Sequence, residues 1–135
     1  IELKEITVGE LSKDYQDNAE AGVVGFGGKL DIRPSFQREF VYKDKQRDAV
    51  INTVIKDFPL NVMYWSVRDD GNFEIIDGQQ RTISLCQYVV GDFSINGLAF
   101  HNLPKDKREQ ILKLLVLCRA YFSGKVRKKK LTNWI

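Results

Sequence analysis

Hydrophobic residues recur at helical spacing in three stretches of the chain. Residues 44–58 form the clearest of these, with Asp44 placed to cap the helix and Pro59 to end it. Residues 79–90 have the same period, and Pro104 is placed to begin a third helix that runs to about residue 117. The pattern therefore predicts three amphipathic helices, and the apolar face of the first consists of Val50, Ile51, Val54, Ile55 and Phe58.

Shorter stretches are typical of strands and turns. Residues 9–17 predict a short helix, and residues 18–28, with four glycines near the end, predict a loop. The turn sequence Asp69-Asp70-Gly71-Asn72 lies between two apolar stretches and predicts a hairpin. The predicted strands are residues 2–8, 29–32, 62–67 and 73–76, with a small hairpin of 93–95 and 98–100 around Asn96-Gly97. We therefore expect a small α/β fold.

Composition restricts the class of protein. A chain of 135 residues with 43% hydrophobic and 29% charged residues is long enough for one folded domain. No apolar run reaches the roughly 20 residues that span a bilayer, so we expect no membrane partner and a cytoplasmic location. The two cysteines, Cys86 and Cys118, do not form a disulfide framework, and Cys86 is expected to be a buried thiol. The single histidine excludes an HNH nuclease within this chain.

Positive charge is concentrated at the end of the chain. Six of the 21 basic residues follow residue 118, which leaves 15 basic against 18 acidic residues and a balance of −3 in residues 1–118. We therefore expect a domain at 1–118 and a basic tail at 119–135. The tail either binds the phosphate backbone of DNA or is simply solvated, and its candidate DNA-binding residues are Lys125, Arg127, Lys128, Lys129 and Lys130.

The junction between the strand at 73–76 and the helix at 79–90 is the best candidate for chemistry. A helix N-terminus carries partial positive charge and attracts anions. Gly78 permits close approach, and Arg81 presents a planar set of donors that suits phosphate oxygens. Gln79 and Gln80 supply hydrogen bonds, and Asp77 can hold Mg²⁺ or orient Arg81. The alternative is that Asp77 caps the helix and the glutamines are merely exposed.

A second Gln-Arg pair strengthens the case for an anion site. Gln37 and Arg38 follow an extended segment, and Arg47 lies at the edge of the apolar face of the next helix. Arg38, Arg47 and Arg81 are thus candidates to converge on one anion. The alternatives are surface ion pairs, which contribute little: Arg38 with Glu39 or Asp44, and Arg47 with Asp44 or Asp48.

These motifs resemble a known family. The sequences DIRPSFQREFVY (residues 31–42), KQR (45–47), FPL (58–60) and DGQQRT (77–82) occur in the same order and spacing in the N-terminal domain of GmrSD-type proteins. That family is ParB/sulfiredoxin-like and belongs to bacterial restriction and anti-phage systems. The resemblance covers roughly residues 3–117 and implies a mixed sheet with packed helices.

The resemblance also implies nucleotide chemistry. Such domains bind nucleoside triphosphates, often hydrolyse them, and control a partner nuclease. By this comparison Asp77, Gln79, Gln80 and Arg81 are the candidate catalytic residues of a weak NTPase, and Asp77 is the candidate Mg²⁺ ligand. The candidate nucleotide-binding residues are Gln37, Arg38, Arg47, Gly78, Arg81 and Thr82.

The expected partners lie outside this chain. The resemblance implies an HNH-type nuclease domain or subunit as the partner. The alternative function is a non-catalytic module that binds DNA or a partner protein. The apolar residues near the end of the chain either pack on their own domain or lie exposed and favour a homo-oligomer. They are Leu112, Leu114, Leu115, Val116, Leu117, Tyr121 and Phe122.

Overall fold

The computed structural model describes residues 2–33, 43–56, 60 and 62–122. These residues contain nine strands and four α-helices. The helices are α1 (Val8–Ser12), α2 (Asp44–Ile55), α3 (Gln79–Val90) and α4 (Lys105–Lys113). The strands are β1 (Glu2–Thr7), β2 (Gln16–Asp17), β3 (Val23–Gly25), β4 (Leu30–Arg33), β5 (Met63–Val67), β6 (Phe73–Asp77), β7 (Ser94–Ile95), β8 (Leu98–Ala99) and β9 (Leu115–Phe122). The predicted α/β class is confirmed.

Seven of the strands form one mixed sheet in the order β1-β9-β5-β6-β4-β3-β2. Strand β9 lies between β1, to which it is antiparallel, and β5, to which it is parallel. Strands β5 and β6 form the predicted hairpin, and β6 pairs in parallel with β4. The remaining two strands, β7 and β8, form the predicted small hairpin.

One face of the sheet forms the hydrophobic core. Alternate residues of β9 and β5 point to this face, and Trp65, Cys118 and Ala120 have no exposed surface. Helices α1, α2, α3 and α4 contribute the other side of the core through Leu11, Val54, Leu85 and Ile111. None of the described helices is long and apolar enough to cross a membrane.

The opposite face of the sheet is exposed in the described part of the chain, and we call it the open face. Leu3 is 60% exposed, Leu115 54% and Leu117 37%. Leu115 and Leu117 flank the buried Val116 along β9, and Leu3 pairs with the exposed Arg119. The open face consists of Leu3, Tyr64, Ile76, Leu115, Leu117, Arg119 and Tyr121.

Strand β9 corrects the sequence analysis. The helix after Pro104 ends at Lys113, and residues 115–122 are a strand rather than the end of that helix and the start of a tail. Val116 is buried whereas Leu115 and Leu117 are exposed, which is the two-residue period of a strand. The strand also crosses residue 118, so Arg119 belongs to the sheet. Of the apolar candidates for self-association, Leu112 and Leu114 are partly buried against the core.

Three smaller differences concern element boundaries. Residues 18–28 were expected to be a loop but contain β3 and a short 3-10 helix at Ala19–Ala21. The helix expected at 9–17 is limited to α1, and Gln16 and Asp17 form β2. Asp44 is the first residue of α2 rather than its cap, because the N-cap is Lys43. The predicted bounds of α3 are confirmed.

Candidate functional site

A tight glycine turn joins β6 to α3. Gly78 has φ 103° and ψ 13°, a left-handed conformation that side chains with a Cβ adopt only at a cost. A Cβ on Gly78 would also lie 2.9 Å from Cγ of Met63, which packs beneath the turn. Both the backbone angle and the close approach therefore require glycine. Because Gly78 is the N-cap and no side chain caps the helix, the alternative role of Asp77 as the helix cap is wrong.

Thr82 supports this turn from inside the fold. Its hydroxyl is fully buried, donates a hydrogen bond to the carbonyl oxygen of Gly78 (2.9 Å), and lies 3.0 Å from the sulfur of Met63. A group with these partners and no exposed surface does not meet a ligand in solution. The structure therefore places Thr82, a candidate nucleotide-binding residue, in a packing role behind the turn.

Gln79 connects the turn to a second strand. Its side-chain Nε2 donates a hydrogen bond of 2.8 Å to the carbonyl oxygen of Ile32, near the end of β4. The next residue, Arg33, is 4% exposed and donates from Nη2 to the carbonyl oxygen of Ala19 (2.6 Å), so the end of β4 is held from two sides. Gln79 is thus a positioning residue for the site. Gln80 is partly buried in the same helical turn.

Arg81 folds back over the turn. Its Nη2 atom lies 3.4 Å from the point where a Cβ on Gly78 would be, and its side chain is partly buried. Residues Ile76 to Arg81 together line a surface depression of about 210 Å³. Pockets that enclose a whole organic ligand measure roughly 300–1,000 Å³. The depression is smaller than these pockets, and it lies at the N-terminus of α3.

Asp77 provides an exposed carboxylate at the edge of this depression. It is the last residue of β6 and pairs with Tyr64 of β5. Among the described residues no group of three or more His, Cys, Asp or Glu side chains is placed to hold a metal ion. Mg²⁺ commonly uses one or two carboxylates together with phosphate oxygens and water, so Asp77 fits a phosphate-borne Mg²⁺.

Comparison with known families identifies the family of the chain. The family described as the N-terminal domain of GmrSD restriction endonuclease matches residues 12–133 of the 135. The chain belongs to this family. The resemblance seen in the motifs is thereby confirmed, and it connects the chain with restriction systems. Comparison with curated proteins and with solved structures gives no significant match.

Arg47 lies apart from the turn in this GmrSD N-terminal domain. Its guanidinium stacks on the ring of Phe93, 3.7 Å from the centroid, just beyond the C-terminal end of α3. It also pairs with Asp48 at 3.3 Å and Asp44 at 3.7 Å, as the alternative interpretation of the sequence held. Since α3 is 12 residues long, its two ends are about 18 Å apart. The structure does not bring Arg47 together with Arg81.

Several candidates fall outside the described residues of the GmrSD N-terminal domain. Gln37 and Arg38 of the first motif are among them, and so are the candidate DNA-binding residues of the tail. Their roles stay predictions from the sequence. The tail residues concerned are Lys125, Arg127, Lys128, Lys129 and Lys130.

The two thiols offer no nucleophile for the site. Burial raises the pKa of Cys86 to about 12. Burial also raises the pKa of Cys118 to about 12, although the nearby Lys4 ammonium opposes that rise. A thiol with such a pKa is protonated at neutral pH and unreactive. The expectation that Cys86 is a buried free thiol is confirmed.

Two residues beside the turn were missed by the sequence analysis. Tyr64 is the cross-strand partner of Asp77, and Arg119 is the partner of Tyr64 on the other side of β5. Arg119 was assigned to the basic tail because β9 was not recognised as a strand. Residues 115–118 are all apolar, so the sequence shows no alternation there that would separate a strand from a helix.

Proposed function

We propose that this domain binds a nucleoside triphosphate by its phosphate groups at the N-terminus of α3. One observation carries the proposal: the left-handed turn at Gly78 places the guanidinium of Arg81 and the carboxylate of Asp77 around the positive end of a 12-residue helix. A helix end and a guanidinium both favour a phosphate group. Nucleotide binding would let the domain regulate a partner nuclease of the restriction system that lies outside this chain.

Each residue of the turn has a distinct part in this proposal. Arg81 contacts phosphate oxygens, and Gln79 holds the turn against β4 through Ile32. Mg²⁺ bound with the phosphates would be held by Asp77 and would neutralise their charge. No described side chain of the turn is an evident general base, so hydrolysis would depend on electrostatic stabilisation of the transferred phosphoryl group and would be weak.

Replacement of Arg81 tests the proposal most directly. Arg81→Ala is expected to lower nucleotide affinity about 10- to 100-fold, because hydrogen bonds to a charged group contribute about 1.5–3 kcal/mol. Calorimetric titration with ATP, GTP, CTP and UTP measures the change, together with phosphate release.

The matched control is Arg47→Ala, which removes a guanidinium near the other end of α3. We expect that variant to bind nucleotide like the unaltered protein. Equal losses in both variants would indicate a general charge effect, and unchanged affinity in Arg81→Ala would refute the phosphate contact.

The role of Asp77 is tested by its dependence on magnesium. Asp77→Asn keeps the size of the side chain and removes its charge. In the presence of Mg²⁺ we expect this variant to bind nucleotide more weakly than the unaltered protein. In EDTA its affinity should equal or exceed that of the unaltered protein, because a carboxylate repels phosphate when no cation lies between them. A loss of the same size in both conditions would contradict the role as a Mg²⁺ ligand.

A further inference from the structure

We propose that Tyr64 and Tyr121, stacked on the open face of the sheet, form the surface on which the base of the nucleotide lies. The proposal rests on the proposed function, since it concerns the same ligand. It assigns the base to a feature outside the depression at the turn, which is smaller than the pockets that enclose a whole organic ligand.

The strand register places these tyrosines beside the turn. Tyr64 pairs with Asp77 of β6 on one side and with Arg119 of β9 on the other. Paired residues on adjacent strands point to the same face, and adjacent strands are about 4.8 Å apart. The register shifts between Tyr64 and Trp65, so a bulge sets Ile76 and Asp77 together opposite Tyr64. The exposed Asp77, the partly buried Tyr64 and the exposed Arg119 are thus neighbours across β6, β5 and β9, and we call these three residues the row, which begins one residue before Gly78.

The two rings stack on each other, and we call the pair the platform. Their centroids are 6.1 Å apart and their planes differ by 24°, so they are nearly parallel. Both side chains are only partly buried, whereas an adjacent residue of each strand points to the core and has no exposed surface: Trp65 after Tyr64 and Ala120 before Tyr121. Exposed aromatic rings next to positive charge are the surface that proteins use to stack nucleobases.

The dimensions of a nucleotide suit this arrangement. A single ribose separates the base of a nucleotide from its first phosphate. Tyr64 lies one strand spacing, about 4.8 Å, from Asp77 at the turn, so the base and the phosphates can reach the platform and the turn together. The exposed Arg119 follows in the same row and can contact the phosphates or the ribose. Because a ring surface stacks on any base, we expect a modest preference for purines, which have the larger rings, and little discrimination between adenine and guanine.

The test compares ATP with inorganic triphosphate, which has phosphates but no base. Tyr64→Leu is expected to lower the affinity for ATP about tenfold and to leave the affinity for triphosphate unchanged. Tyr64→Phe keeps the ring and should bind ATP like the unaltered protein. Arg81→Ala is expected to weaken both ligands. Leu115→Ala is the matched control, because Leu115 is an exposed residue of the same face, in register with Thr7 and outside the row.

The outcomes separate the base platform from the phosphate site. If Tyr64→Leu binds ATP normally while Arg81→Ala loses both ligands, the base platform is refuted and the phosphate site is retained. If Tyr64→Leu loses both ligands equally, Tyr64 does not act on the base and the inference also fails. If the unaltered protein binds neither ligand, the proposed function itself is refuted.

A second measurement requires no variant. The triphosphate of 2-aminopurine riboside should lose fluorescence when it binds the unaltered protein, since stacking on a ring quenches this base. Binding without quenching would overturn the platform.

Discussion

Truncation after residue 118 is expected to unfold the domain, although composition alone places the end of the domain there. The cut removes half of β9, the strand that links β1 to β5. Residues 119–122 pair with β5, and Arg119 and Ala120 also pair with β1. Each backbone hydrogen bond contributes about 0.5–1.5 kcal/mol, and loss of the fully buried Ala120 uncovers Trp65. The combined loss of about 4 kcal/mol or more is large beside a typical stability of 5–15 kcal/mol.

The matched control for this truncation ends after residue 124. It removes the lysines and arginines of 125–130 but keeps every described residue of β9. Circular dichroism and thermal melting of the two proteins isolate the contribution of residues 119–124. Melting temperatures within a few degrees of each other would show that the second half of β9 does not hold the sheet together.

Gly78→Ala is expected to destabilise the domain by about 2–5 kcal/mol. The left-handed backbone costs about 1–2 kcal/mol for a residue with a Cβ. Overpacking against Met63, whose Cγ would lie 2.9 Å from the new methyl group, adds about 1–3 kcal/mol. The methyl group would also be 3.4 Å from Nη2 of Arg81, so nucleotide affinity should fall as well.

Gly91 offers a close control at the other end of the same helix. Its φ of 90° and ψ of 20° nearly equal those of Gly78. Among the described residues, an added Cβ would meet Nδ1 of His101 alone, at an ordinary contact distance of 3.7 Å. Gly91→Ala should therefore show the backbone cost alone, about 1–2 kcal/mol. Chemical denaturation of both variants measures the difference, and equal losses would mean that Met63 moves aside at little cost.

The sequence was sufficient where structure depends on neighbouring residues. The bounds of α3 and the hairpin of β5 and β6 follow from an Asp-Gly turn, a glycine cap and a regular apolar period, all of which are local. The turn that forms the candidate site was predictable for the same reason. Its candidate residues were evident in the sequence because Asp77, Gly78 and Arg81 lie within five residues.

The sequence was insufficient where structure depends on distant partners. The leucines of residues 112–117 also fit a helical face, and only pairing with β1 and β5 makes residues 115–122 a strand. The position of Arg47 at the edge of a buried face was inferred correctly. The direction in which α2 crosses α3 was not inferable, and that direction places Arg47 against Phe93 instead of near Arg81.

The position of β9 in the sheet has a consequence for synthesis on the ribosome. Thr7 is translated long before its partner Leu115, so β1 and β5 leave the exit tunnel with unpaired edges and wait for the strand that joins them. Formation of such distant pairs is slow, and bare strand edges associate with other chains. A premature stop codon before residue 115 would therefore release an aggregation-prone polypeptide rather than a smaller folded domain.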